Sequence, residues 1–307
     1  MRATQLGLFG GIGDGKFGRG QPITRAAFVT AMVRLFGWKE VTPAKASYTD
    51  VTSDRWFYTA VETARANGAF PSTSGTFRPT DNITREEMAS MLIRSLGYAS
   101  LAGVVDSYPS PFTDVTVSQG FITLAYDLGI IGGVGDGKFA PDKTATREEA
   151  AAMLVRLYDR LYSRSAILSS TGSYTKITVD TPAAKEGDSI PTTPLEPIAD
   201  LYDQLRSAKN RGVDLSRCVL CLTAGGVRTT TSDGKILSTD TLSADEVKEI
   251  LARDDVHTYY STRYESAYCI YAPNSYQSAT VWYQSDESLT AKLQLARLFG
   301  VTYYTLS

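Results

Sequence analysis

The chain has 307 residues, 43% of them hydrophobic and 21% charged, with a formal net charge of −2. That length predicts about two domains, each large enough to bury its own core, and the slightly acidic balance excludes a basic nucleic-acid surface. No apolar run is long enough to cross a membrane. The single histidine, His257, nearly excludes His-based triads and multi-histidine metal sites. Of the three cysteines, Cys218 and Cys221 have C-x-x-C spacing inside an apolar, strand-like run. Without a second ligand pair or a helix start beside them, they read as buried thiols and not as a zinc or redox site. No cofactor and no metal are expected.

Taken in chain order, the first half repeats itself. Thr-Arg occurs at Thr24-Arg25, Thr84-Arg85 and Thr146-Arg147, at spacings of 60 and 62. An aromatic residue lies eight positions before each arginine, at Phe17, Phe77 and Phe139. A second arginine follows each by nine, at Arg34, Arg94 and Arg156, and reads as a helix-covering or ion-pairing residue. Upstream, "YTDV" (48–51) and "FTDV" (112–115) each precede a short amphipathic stretch that ends at glycine. One unit is therefore an extended piece, a helix, a Gly-rich turn and a second helix. The aspartate matching Asp50 and Asp114 would fall before Met1, so the chain is expected to begin inside a unit, with the rest of that unit and any export signal upstream. The first residues, "MRATQLGLFGGIGDG", do not make a signal peptide.

Each second helix has a legible start. Thr84-Arg-Glu-Glu87 and Thr146-Arg-Glu-Glu149 are capping boxes, whereas Thr24-Arg-Ala-Ala27 keeps the threonine and lacks the glutamate. Asp14-Gly15 and Asp136-Gly137 read as tight turns, since an EF-hand would need alternating oxygen ligands and a late glutamate. Helix punctuation does not account for the arginines. The first helical position is the positive end of the helix dipole, where a cation is mildly unfavourable. Three arginines there point to a task, either holding a carboxylate or phosphate between guanidinium and helix N-terminus, or pairing with an aspartate of a neighbouring copy. The ligand is the favoured reading.

The combination F-x-D-V, G-x-x-x-G-x-F-x-P and T-R-E-E in "FTDV…LGIIGGVGDGKFAPDKTATREEAAAMLVRLY" resembles an S-layer homology repeat. The resemblance covers residues 1–38 (incomplete), 46–100 and 110–162. It implies a mainly α, three-lobed trefoil with a central helical bundle, located at the cell surface and bound to secondary cell-wall polysaccharide, often one ending in a pyruvate ketal. It implies that Arg25, Arg85 and Arg147 face grooves between copies and meet the anionic sugar. Asp50, Asp114 and Trp56 match further motif positions. Read from the residues alone, the aspartates are helix caps and the tryptophan is core.

A Ser-rich linker is expected over residues 163–173, followed by an α/β domain over 174–307. Lys176–Asp180 and "CVLCL" read as strands, residues 198–211 and 243–253 as helices, "SAYCIYA" and "ATVWYQS" as an antiparallel pair, and Ser288–Phe299 with Val301–Leu306 as a closing helix and strand. The segment "ATVWYQSDESLTAKLQLARLFGVTYYTL" resembles the end of family 18 glycoside hydrolase barrels, implying a partial (β/α) barrel with a small insertion. The departures carry more weight. The D-x-x-D-x-D-x-E motif that supplies the family's catalytic acid is absent, five strands are missing from an eight-stranded closure, and Val179-Asp180 and Tyr304 stand where the family has Tyr-Asp and tryptophan. No catalytic residues and no glycosidase activity are therefore expected. In the alternative, part of an active glycosidase, Asp180, Glu265 or Glu287 would have to supply the acid.

Overall fold

The computed structural model describes residues 2–71, 75–169, 172–183 and 194–307. The chain divides into two compact units, Met1–Arg160 and Leu161–Ser307. Residues 170 and 171, within the expected linker, lie outside the described residues.

The first unit is helical. Its elements are α1 (Arg2–Gln5), α2 (Arg25–Phe36), α3 (Tyr58–Ala66), α4 (Arg85–Ser95), α5 (Ala99–Val105), α6 (Gln119–Asp127) and α7 (Arg147–Leu161). The expected caps are present: Thr24 accepts from Ala27 N, Thr84 and Glu87 form a complete capping box, and Gly37 closes α2 in the left-handed region. The tight turns hold too. Asp14-Gly15 and Asp136-Gly137 both have positive φ, and Lys16 N and Lys138 N close the turns onto Gly13 O and Gly135 O at 2.9 Å. That is the backbone geometry for which Asp-Gly is favoured, because glycine meets no Cβ penalty at positive φ.

The copies are joined by a closed cycle of backbone bonds. Ile83 N donates to Ile23 O, Ala145 N to Ile83 O, and Ile23 N to Ala145 O, all within 3.0 Å. All three residues are buried. Because these residues precede α2, α4 and α7, the cycle sets the three helix starts about one centre. Repetition at the sequence level thus becomes threefold pairing in space. Helix α5 has no counterpart before α3. It lies on α6 so closely that a Cβ on Gly120 would come 1.9 Å from Ala102 O.

The second unit holds two sheets. Strands β1 (Ala166–Ile167), β2 (Thr175–Thr178), β3 (Cys218–Leu222) and β9 (Tyr303–Leu306) form a parallel sheet in the order β1-β9-β3-β2. Ala166 and Ile167, inside the expected linker, pair in parallel with Tyr303 and Tyr304 as an edge strand. Helices α8 (Ile198–Asn210) and α10 (Asp286–Phe299) pack on each other, and α8 packs on β2. The second sheet is antiparallel, in the order β5-β4-β8-β7-β6, from β4 (Gly226–Ser232), β5 (Lys235–Leu242), β6 (His257–Ser261), β7 (Ser266–Asn274) and β8 (Gln277–Tyr283). Helix α9 (Ala244–Leu251) covers one face through Val247, against Leu242, Cys269, Tyr271 and Val281. The expected β7–β8 pairing is present, with Tyr268 opposite Trp282. Cys218 is buried and Cys221 half-buried on the same strand, both as free thiols.

Lys292 on α10, wholly buried, donates to Leu195 O at 3.0 Å and Gln284 Oε1 at 2.9 Å, and lies 3.3 Å from Glu196 Oε2. Glu196 also accepts from Thr223 N at 2.7 Å. This network ties the segment before α8 to the exits of β3 and β8.

Candidate functional site

The three motif arginines occupy equivalent places. Arg25 Nε donates to Phe77 O, Arg85 Nε to Phe139 O and Arg147 Nε to Phe17 O, each at 2.9 Å. Each guanidinium also lies over the ring of that aromatic residue, 4.6–5.2 Å from its centroid. Every arginine therefore reaches into the aromatic turn of another copy, in the cyclic order first to second, second to third, third to first. The carbonyl and the negative ring face both favour a cation. This contact explains why a cation is placed at the unfavourable end of a helix.

The helix starts themselves are not open receptors. Arg25 N and Ala26 N donate to Asp81 O and Pro79 O, while Arg85 N and Glu86 N donate to Lys143 O and Pro141 O. Arg147 N donates to Gln21 O. Carbonyls of the neighbouring copy thus take the orphan N–H groups that the anion-receptor expectation relied on, and any charged receptor here is the guanidinium alone.

The ion-pair expectation is corrected in its partner. The carboxylate that meets Arg25 is not an aspartate but Glu87, 2.7 Å from Nη1. Glu149 lies 3.9 Å from Arg85 Nη1. Both are the glutamates of the neighbouring copy's capping box. Burial would raise the Glu87 carboxyl, but the Thr84 N–H, Arg25 and Arg78 outweigh it and hold it below its ordinary value. Burial pulls the Arg85 guanidinium down against Glu149 and Asp114, and it stays charged.

Asp50 and Asp114 are not helix caps. Asp50 accepts from Phe77 N and Arg78 N at 2.7 Å, and Asp114 from Phe139 N and Ala140 N at 2.8 Å. Each carboxylate fills a nest of two successive N–H groups, the second on a residue of positive φ. The bond from Phe139 contributes most to holding the Asp114 carboxyl below the usual range. Trp56 is not core: it is 68% exposed, its edge against buried Phe57. Of the second arginines, Arg34 bonds Leu8 O, Arg94 covers the Phe121 ring and Arg156 is exposed.

A pocket of about 260 Å3 opens at the Arg25 junction, lined by Arg25, Phe77, Glu87 and Arg94 among others. The arginines and threonines were evident in the sequence. Glu87 and Glu149 were visible there only as caps, and their reach across the junction was not.

In the second unit two of the three candidate acids, Glu265 and Glu287, lie near each other. Asp180 is exposed beyond β2, and its charge acts on Asp200. Glu265 accepts from Tyr260 Oη at 2.7 Å, and burial together with nearby Glu287 raises its carboxyl.

The family model of the S-layer homology domain matches residues 1–29, 47–89 and 111–151. Among similar proteins, an amylopullulanase of Thermoanaerobacterium thermosulfurigenes is 30% identical over 49% of this chain and 8% of its own length. A surface layer protein of Brevibacillus choshinensis is 35% identical over 39% of the chain and 11% of its own length. An S-layer protein of Bacillus anthracis is 27% identical over 59% and 22%, respectively. The chain thus spans only a small part of these relatives. Similar solved structures include the spore cortex-lytic enzyme SleL of Bacillus megaterium, at 17% identity and TM-score 0.35 over 44% of this chain and 30% of that one. A chitinase from Chromobacterium violaceum has 19% identity and TM-score 0.36 over 44% and 40%.

Proposed function

We propose that the N-terminal unit, whose three copies match the S-layer homology domain model, attaches the chain non-covalently to the bacterial cell wall by binding secondary cell-wall polysaccharide. The unit acts as a trefoil whose junctions between copies are the grooves, and the sugar is anionic, a pyruvate ketal or a group of like charge. Arg25, Arg85 and Arg147 supply the positive charge of those grooves. Asp50 and Asp114 hold the aromatic turns that form their walls, and Trp56 offers a flat apolar face on which a sugar ring stacks. The observation that carries this reading is the cyclic insertion of one arginine into each junction. The chain works outside the cell, at the wall. The C-terminal unit is cargo, a degenerate relative of family 18 glycoside hydrolases with a partial barrel.

Co-sedimentation with purified Gram-positive sacculi tests the proposal. The full chain should pellet with native sacculi and stay in solution with sacculi stripped of secondary polysaccharide. Trp56→Ala should weaken pelleting without changing the fold. Equal pelleting with native and stripped sacculi would sink the reading.

One observation favours the alternative, an active cell-wall or chitin glycoside hydrolase: the raised carboxyl of Glu265 beside Tyr260 suits a general acid. Turnover of chitin oligomers that Glu265→Gln abolishes would establish it.

A further inference from the structure

The three junctions are alike in construction and unlike in charge. At the first, Glu87 stands 2.7 Å from Arg25, and at the second Glu149 stands 3.9 Å from Arg85. Each glutamate sits at the third helical position of the copy that the arginine reaches into. At the third junction that position belongs to α2 and is Ala27. Among the described residues, no carboxylate lies within 4 Å of the Arg147 guanidinium. Glu148, next in the chain, turns its carboxylate to Gly20 N at 2.9 Å. The remaining polar contacts of the Arg147 side chain are the carbonyls of Phe17 and Gly10, the latter bond lying at the surface.

We propose that the Arg147 junction is the one that takes the ligand's carboxylate, and that Ala27 opens it by withholding the internal carboxylate that occupies Arg25 and Arg85. The inference rests on the wall-binding function above and adds which junction carries it and which residue decides. Its physical basis is competition. A ligand carboxylate arriving at Arg25 must displace a glutamate tethered in place, at high effective concentration and already desolvated. At Arg147 it displaces water. The arrangement at Arg25 shows the geometry that a guanidinium held in this way gives a carboxylate, and the ring faces of Phe9 and Phe17, 5.6 and 5.2 Å from the guanidinium carbon, give the site one apolar wall. The ligand class is a sugar bearing a single accessible carboxylate.

The test is a calorimetric and NMR titration of the full chain with a methyl hexoside carrying a 4,6-pyruvate ketal, and with the methyl ester of the same compound. Binding at one site is expected, with the ester about tenfold weaker for loss of a charge-assisted bond. Ala27→Glu should also weaken the ketal about tenfold while leaving melting temperature unchanged or higher, since it completes a capping box with Thr24. Glu87→Gln should add a second, weaker site. Ketal binding that Ala27→Glu leaves unchanged overturns the inference. So does pelleting with native sacculi when the ketal does not bind; in both cases wall attachment itself stands. A wild-type chain that binds neither ketal nor native sacculi overturns both.

Discussion

Glu87 serves two copies at once: Oε2 accepts the Thr84 N–H at 3.0 Å and closes its own helix cap, while Oε1 lies 2.7 Å from Arg25 Nη1 of another copy. One side chain therefore joins a local signal to a long-range one. The same Oε1 meets Arg78, so two cations share it.

Replacing Glu87 with glutamine keeps the shape and removes the charge. Arg25 is then left nearly buried without a counter-charge, and the expected loss of stability is about 2–3 kcal/mol. Glu149→Gln should cost less, about 1 kcal/mol, because Arg85 is 3.9 Å away and Lys143, the nearer partner, is half exposed. Hydrogen exchange of the amides of α4 and α7 measures both. Equal losses would mean that the cap alone matters.

Acid should unfold the N-terminal unit through the same groups. Glu87, Glu148 and Glu149 all have carboxyls held below their ordinary value of 4.5. A depressed carboxyl means the unfolded chain binds the proton more readily. The stability these groups give is complete above pH 4.5 and disappears as pH falls through their lower folded values. A melting temperature flat above pH 5 and falling steeply below 4.5 is expected, with the fall reduced in Glu87→Gln.

Gly120→Ala tests the contact between α5 and α6. The added methyl would come 1.9 Å from Ala102 O and 2.8 Å from Asp106 N, both backbone atoms. Neither can move without shifting α5, so a loss of about 3 kcal/mol is expected. Gly103→Ala in α5, where a Cβ meets nothing within 4 Å, serves as the control and should be neutral or stabilising by up to about 1 kcal/mol. Urea midpoints compare the two.

Lys292→Met should destabilise the C-terminal unit by about 3–5 kcal/mol, because it strands the Glu196 carboxylate at 3% exposure. The double variant Lys292→Met/Glu196→Gln should recover most of that loss, since a glutamine carbonyl still accepts the Thr223 N–H. No recovery would mean that packing of the lysine stem, and not its charge, is what the site requires.

Legibility differed between the halves for a physical reason. Capping boxes, Asp-Gly turns and amphipathic helices use interactions within a few residues, so α2, α4 and α7 could be read at the positions where they occur. In the C-terminal unit α8, α9, α10 and the β7–β8 pair were legible from apolar spacing. The β4–β5 hairpin was not. Its strands, "GVRTTTS" and "KILSTDTL", have few apolar residues, and β4 is held in the sheet by β8, a pairing made at long sequence separation. Helix α5 was missed because it is short and draws its order from lying on Gly120. The exposure of Trp56 was not legible from the residues alone, because burial depends on what covers a residue in space.

The repeat, its caps and turns, and an arginine at each helix start are all legible in the residues alone, because each depends on neighbours along the chain. The sequence also held the difference between Glu87, Glu149 and Ala27, without its meaning. Which arginine meets which copy is set by the fold. The cycle through Ile23, Ile83 and Ala145 brings residues about sixty positions apart, or more than a hundred, into contact, and Coulomb attraction acts over distance in space, not along the chain. That is why two identical-looking Thr-Arg starts are internally paired and the third, Arg147, is not.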